Sequence, residues 1–240
     1  MVFAAILAGG TGSRMQREMP KQFLPIGGKP IIVHTLIKFF KASSVDSIYI
    51  GVHKDWTDYM DGLLKEYFPS PEKPVRVICG GADRYGTLLN LLYAVEADYG
   101  EDEGHIFVTH DSVRPFVTVD MIEKSICEAR RCGACNTVVG ATDTIVVSDD
   151  GLNTSDMPDR SRIYMGQSPQ SFRLSLFKEL VESLTEEERA TLTDACKIFI
   201  MRDKPVSLIK GDVSNFKITT KGDYDIASAM AGEYLEGEDG

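Results

Sequence analysis

Short runs of β-branched and apolar residues alternate along this chain with longer stretches of helical periodicity. That alternation limits the fold more than any other feature. Strands are expected at 3–8, 47–52, 75–79, 106–110, 136–141, 144–148 and 206–210, and helices at 30–41, 55–67, 84–99, 119–131, 174–183, 194–202 and 222–235. Pro30 suits a first helical turn, after which Ile32, Leu36, Phe39 and Phe40 share one helical face. Gly133 stands where the helix ending near Arg131 should stop. A strand–helix alternation of this kind predicts an α/β fold, a mostly parallel twisted sheet with helices on both faces. The turn-rich stretch at 148–159 interrupts it, so a protruding β-arm is expected over about residues 139–167. At 240 residues the chain suits one large domain, taken as 1–235, with an acidic tail at 236–240 expected to fray.

The formal charge of −10 argues against a nucleic-acid or anionic-membrane surface. A small polyanion can still bind where cations gather. Between Gly10 and Pro30 stand Arg14, Arg17, Lys21 and Lys29 against the single acid Glu18. The apolar opening Met-Val-Phe-Ala-Ala-Ile-Leu-Ala is too short for a membrane span and has no basic residues before it. It is read as a buried first strand, and a cytoplasmic location is expected. Five cysteines, an odd number spread over a fairly long chain, read as free thiols.

Three loops carry the candidate chemistry. Leu7, Ala8, Gly9 and Gly10 close the first strand, at the edge where open α/β sheets bind ligands. Glycines there let backbone amides approach phosphates. A dinucleotide fingerprint would want glycine where Met15 stands, and a P-loop would want Ser or Thr where Pro30 follows Gly28-Lys29. The second loop, His110-Asp111-Ser112-Val113-Arg114-Pro115-Phe116, ends an apolar strand. Two readings of Asp111 stand: a Mg²⁺ ligand facing the phosphate loop, or a turn cap paired with Arg114. His110 reads as a buried, hydrogen-bonded histidine. The third loop, Gly80, Gly81, Ala82, Asp83, Arg84, Tyr85, Gly86 and Thr87, would bring amides to a base or ribose, with Thr87 near a helix start. Cys132-Gly-Ala-Cys135 lacks a second ligand pair for zinc and sits at a helix C-terminus, where the dipole disfavours thiolate. Both thiols read as structural.

Taken together the loops resemble the cytidylyltransferase family that contains the methylerythritol 4-phosphate and ribitol 5-phosphate enzymes. Leu7-Ala-Gly-Gly-Thr-Gly-Ser-Arg-Met15, Pro20-Lys-Gln-Phe-Leu24, His110–Phe116, Pro169-Gln-Ser-Phe172, Thr193-Asp194-Ala195 and Asn215-Phe-Lys-Ile-Thr219 occur in the family's order. The likeness extends to about residue 230. Where the isoprenoid enzymes usually read Ala-Ala-Gly and His-Asp-Ala-Ala-Arg-Pro, this chain has Ala8-Gly9-Gly10 and His110-Asp111-Ser112-Val113-Arg114-Pro115. Those departures, with Gly166-Gln-Ser-Pro-Gln-Ser-Phe172, look closer to the ribitol 5-phosphate branch.

The resemblance implies a Rossmann-like enzyme that joins CMP from CTP to a polyol phosphate. It implies that Arg14 and Lys21 stabilise the transition state, that Asp111 holds Mg²⁺, and that Leu7–Gly10, Gly80–Thr87 and Ser112 line the nucleotide site. Arg160, Lys217, Thr193 and Arg114 fall at acceptor-site positions. Read alone, Arg160 is a surface charge near Asp156 and Asp159, and Lys217 a solvated strand residue. In the family the arm reaches across a homodimer, so Arg160 is expected to serve the neighbouring subunit. No nucleic-acid or membrane partner is expected.

Overall fold

The computed structural model describes residues 1–10 and 19–234. The chain runs β1 (Val2–Ala8), β2 (Pro25–Ile26), β3 (Lys29–Pro30), α1 (Ile31–Lys41), β4 (Ser47–Val52), α2 (Thr57–Tyr67), β5 (Val75–Cys79), α3 (Arg84–Tyr99), β6 (Ile106–Asp111) and α4 (Val119–Cys132). It continues through β7 (Ala134–Gly140), β8 (Tyr164–Arg173), α5 (Leu174–Glu182), α6 (Glu186–Ala190), α7 (Cys196–Ile200), β9 (Ser207–Lys210) and α8 (Lys221–Tyr234). A seven-stranded sheet has the order β5-β4-β1-β6-β8-β7-β9, with β2 and β3 forming a small hairpin apart from it. β8 runs antiparallel to β6 and to β7, while the pairings β1–β4, β1–β6, β4–β5 and β7–β9 are parallel.

Every residue of β1 is buried. Its alternate side chains enter two different cores, as the apolar run Val-Phe-Ala-Ala-Ile-Leu-Ala allows. Val2, Ala4 and Ile6 pack with Leu36, Phe39, Met60 and Ile122 from α1, α2 and α4. Phe3, Ala5 and Leu7 pack with Leu91, Val95, Phe177 and Phe199 from α3, α5 and α7. Each large side chain so buried contributes about 1.5–3 kcal/mol. Helices therefore cover both faces, and β1 lies inside the sheet between β4 and β6. The chain leaves β1 for β4 and β5 on one side, then returns to place β6 on the other. That reversal opens a crevice above the carboxyl ends of β1 and β6.

Helix ends follow local chemistry. Asp83 caps α3 by accepting from the Gly86 amide, Thr118 caps α4 through the Met121 amide, and Gly133 ends α4 at φ 89°, where a side chain would be strained. Pro30 lies outside the first turn of α1, as its N-cap.

One expected strand is absent and another was not expected. Residues 144–148 form no strand; their β-pairing is a single bridge, Val147 to Asp156, on an exposed excursion between β7 and β8. The strand in this region is β8, whose core reads Gln167-Ser-Pro-Gln-Ser171. It lacks β-branched residues and carries a proline, a combination that normally argues against a central strand. The proline is tolerated because the β7–β8 register shifts between Asn136 and Val138, just where Pro169 lies. Among the described residues, no helix is long and apolar enough to cross a membrane.

Candidate active site

The crevice is a cleft of about 780 Å³, lined from β1 and its loop by Leu7, Ala8, Gly9 and Gly10. Opposite them stand Ala82, Asp83, Arg84 and Thr87, with Lys21, Asp111, Ser112 and Lys217 completing the walls. These come from segments up to two hundred residues apart, gathered because they all follow carboxyl ends of strands or pack against them. Arg14 lies outside the described residues.

Gln22 holds the first loop. It is buried, and its Nε2 donates to the carbonyl of Ala8 at 2.8 Å and of Gly10 at 3.0 Å. One side chain thereby holds both carbonyls of the loop. The same short helical turn, Lys21–Phe23, sets Lys21 in the cleft wall beside this loop.

The 80–87 loop is built around Thr87. Its hydroxyl donates to the Asp83 carbonyl at 2.9 Å and accepts from the Gly81 amide at 3.1 Å. Its side chain lies so close that a Cβ on Gly9 or Gly51 would come within 2.7 or 2.5 Å of it. Gly81 is tighter still, because a Cβ there would meet the backbone of Gly86 at 2.4 Å. Three strand-end loops thus converge on one threonine. The carboxylate of Asp83 is occupied as the α3 cap. Gly80, Gly81, Tyr85 and Gly86 shape the loop but do not line the cleft.

Asp111 is the electrostatic centre. It is 8% exposed and meets three cations: Lys217 at 3.0 Å, Arg84 at 3.4 Å and Arg114 at 3.4 Å. Burial alone would raise its pKa, but Lys217, Arg84 and Arg114 outweigh that and hold it below the ordinary carboxylate range. Asp111 thus pairs with Arg114 and also lines the cleft. Ser112 is fixed by its amide on the Leu7 carbonyl, and its own carbonyl accepts from Thr35. His110 is fully buried against Phe39 with Nε2 3.3 Å from the Arg114 carbonyl, and burial pushes its pKa down to about 3. It is a neutral packing residue.

Arg114 stands behind Asp111 rather than in the cleft wall. Arg160 and Thr193 do not line this cleft. Arg160 is exposed on the excursion, donating to the Thr142 carbonyl at 2.8 Å, and Thr193 is exposed ahead of α7. Four further residues line the cleft without having been singled out: Gln22, His53, Val113 and Thr219. Gln22 had a readable signal, a polar residue flanked by the apolar Phe23-Leu24 directly after a glycine loop. His53 had only its place one residue beyond β4, at the same sheet edge.

Glycine loops, gathered cations and one carboxylate over the switch point of an open sheet define an α/β nucleotidyltransferase. Residues 2–233 match the model of the IspD family, 2-C-methyl-D-erythritol 4-phosphate cytidylyltransferase. Ribitol-5-phosphate cytidylyltransferases from Streptococcus pneumoniae, in strains D39 and R6, are 46% identical over 231 residues, covering 96% of this chain and 98% of theirs. The fold is similar to the 4-diphosphocytidyl-2C-methyl-D-erythritol synthase of Anaerococcus prevotii, with a TM-score of 0.79 and 27% identity over 96% of this chain and 98% of that one. It is also similar to the 2-C-methyl-D-erythritol 4-phosphate cytidylyltransferase of Thermus thermophilus, with a TM-score of 0.71 and 25% identity over 97% and 100%. The chain belongs to the IspD cytidylyltransferase family, and it is a nucleotidyltransferase.

Proposed function

We propose that this enzyme transfers CMP from CTP to D-ribitol 5-phosphate, giving CDP-ribitol and pyrophosphate. The observation that carries the acceptor is the 46% identity, over nearly the full length of both chains, to the pneumococcal ribitol enzymes. The alternative acceptor, 2-C-methyl-D-erythritol 4-phosphate, is favoured by the name of the family model and of the structural neighbours, whose identity to this chain is far lower.

A phosphate oxygen of the acceptor attacks the α-phosphorus, forming the new P–O bond while the bond to the β-phosphate oxygen breaks. The second phosphate pKa is about 6, so the nucleophile is already ionised near neutrality and no general base is needed. The chain supplies positioning and charge instead. In this reading the amides of Gly9 and Gly10 cradle the triphosphate, and Lys21 and Arg14 offset charge as it builds on the transferring and leaving oxygens. Residues Ala82–Thr87 and Ser112 shape the pocket for cytidine. Lys217 orients the acceptor beside Asp111, whose carboxylate Arg114 holds from behind. A cytoplasmic location is consistent with these soluble substrates.

The donor set bears on the metal. Among the described residues no three His, Cys, Asp or Glu side chains cluster as a cage. One carboxylate, already paired with cations, suits an Mg²⁺ that arrives with the nucleotide, which keeps most of its ligands as phosphate oxygens and water. When bound, such an ion neutralises phosphate oxygens and favours departure of pyrophosphate. Arg160, outside this chain's own cleft, fits an acceptor site shared across a homodimer.

The test is pyrophosphate release with CTP and each acceptor in parallel. Ribitol 5-phosphate should exceed methylerythritol 4-phosphate in kcat/KM by at least about 10²-fold; the reverse order would reassign the acceptor. Lys21→Ala should lose roughly 10²–10³-fold in kcat with little change in CTP affinity. Full turnover in that variant would remove Lys21 from the reaction.

A further inference from the structure

The segment Asn215-Phe-Lys-Ile-Thr219 places Lys217 in the cleft, but its most buried polar residue is Asn215. That side chain is wholly inaccessible. Its Nδ2 donates to the Ser168 carbonyl at 2.9 Å and to Gln167 Oε1 at 3.2 Å, while the backbone carbonyl of Asn215 accepts from Arg114 Nη1 at 2.7 Å. Gln167 in turn donates from Nε2 to the Asp212 carbonyl at 2.8 Å. The direction of each bond is fixed at both ends. Backbone carbonyls only accept, so the Ser168 carbonyl orients the amide of Asn215 and the Asp212 carbonyl orients that of Gln167.

The chain of bonds ends on the reacting centre from two sides. Ser168 also accepts the Asp111 amide on its hydroxyl at 3.1 Å, and Arg114 meets the Asp111 carboxylate. Two residues beyond Asn215, Lys217 meets the same Asp111 oxygen, Oδ2, that Arg114 meets, while Arg84 meets Oδ1. Ile218, next along, donates its amide to the Val113 carbonyl. Close packing shows that the outer end is tightly seated as well: a Cβ on Gly211 would meet Gln167 Oε1 at 2.3 Å.

We propose that Asn215 is the positioning residue of the site, setting Arg114 and Lys217 against Asp111 and tying all three to β8 at the root of the excursion. It touches no reacting atom. Without its Nδ2, the 211–219 loop loses two ties to β8 and keeps the one from Gln167 to the Asp212 carbonyl, and the Asn215 backbone carbonyl that orients the Arg114 guanidinium is no longer held in place. Lys217 then samples positions away from Asp111, and charge stabilisation that depends on preorganisation weakens. The inference rests on the reading that Asp111, Arg114 and Lys217 form the reacting centre.

The experiment compares Asn215→Ala, Lys217→Ala and Ser125→Ala in the full chain, with steady-state kinetics and thermal unfolding on each. Ser125 makes a fully buried hydroxyl contact with Ser171 between α4 and β8 and takes no part in the site, so it controls for simple loss of a core hydrogen bond. Asn215→Ala should lower kcat by roughly 10- to 100-fold, the range seen for outer residues that orient a site. Its KM for CTP should stay within about threefold, since the triphosphate loops are not touched. Ser125→Ala should lose stability and keep kcat. A folded Asn215→Ala enzyme with kcat unchanged overturns the proposal, as does an equal kcat loss in Ser125→Ala. If Lys217→Ala also keeps full turnover, the reading of the reacting centre fails instead. Should Asn215→Ala not accumulate folded, Gln167→Ala removes the outer tie: kcat should fall several-fold at unchanged CTP KM, and wild-type kcat overturns the inference.

Discussion

At the scale of single residues, the site works by setting one buried carboxylate among cations. Removing Asp111 leaves Lys217, Arg84 and Arg114 facing one another without their shared anion. Breaking one partner out of a buried cluster typically costs about 3–5 kcal/mol. The pH dependence follows from the direction of its shift. A folded pKa depressed below the ordinary 3.8 means the carboxylate's contribution is complete above that value and is lost as pH falls toward the folded one. Urea unfolding of wild type and Asp111→Asn should therefore show the widest stability gap near neutrality, narrowing by roughly 1 kcal/mol at pH 3. A gap that does not change with pH would contradict the ion cluster. The thiols make a separate residue-scale test. Burial pushes Cys135 up to about 12 and raises Cys196 strongly, whereas Cys79 and Cys127 are exposed. Native protein should lose Cys79 and Cys127 first to iodoacetamide, with Cys135 and Cys196 modified only on unfolding.

At the scale of elements, the strand-end loops separate two uses of glycine. Among the described residues, a Cβ on Gly10 would meet no atom within 4 Å. A Cβ on Gly81 would strike the backbone of Gly86 and Thr87. Gly10→Ala should keep its melting temperature and raise the KM for CTP, while Gly81→Ala should lower both stability and CTP affinity. Equal melting temperatures in the two variants would show that the loop around Thr87 is not packed as described. This difference could not be read from the sequence, where both are glycines after a strand. Legible elements were those with a strong apolar signal: β1, β4 and β6 are buried along their whole length, and β5, the half-buried edge strand, still reads Val-Arg-Val-Ile-Cys. β8 was hidden because its buried positions are polar and satisfied by partners far along the chain, Gln170 by Asn136 and Asp194, and Ser168 by Asp111. The loops bearing Lys21, Asp111 and Lys217 were legible as motifs. That they meet at one carboxylate, and that Gln22 and Asn215 hold them there, depends on tertiary contacts that no local pattern carries.

At the scale of the whole molecule, the excursion between β7 and β8 is the part that the fold itself does not use. Residues 142–162 are almost all exposed, and Val146, Val147, Leu152 and Met157 present apolar side chains to solvent, with Tyr164 and Met165 at the base. Apolar residues concentrated on one projecting segment are what a self-complementary interface supplies. Arg160 stands on the same segment, outside its own chain's cleft. If Arg160 completes the partner's acceptor site, the defects of Lys21→Ala and Arg160→Ala lie in different subunits' contributions to one site. Mixed after unfolding and refolding together, the two inactive variants should then regain activity. Random pairing makes half of the dimers mixed, and each mixed dimer holds one intact site of its two, so recovery should approach about a quarter of wild type. The same mixture carrying Leu152→Asp and Met157→Asp in both chains should stay inactive and sediment as monomer. Recovery in that doubly charged background would show that Leu152 and Met157 do not make the interface, and none in the first mixture, with both chains folded and dimeric, would show that each site draws Lys21 and Arg160 from a single chain.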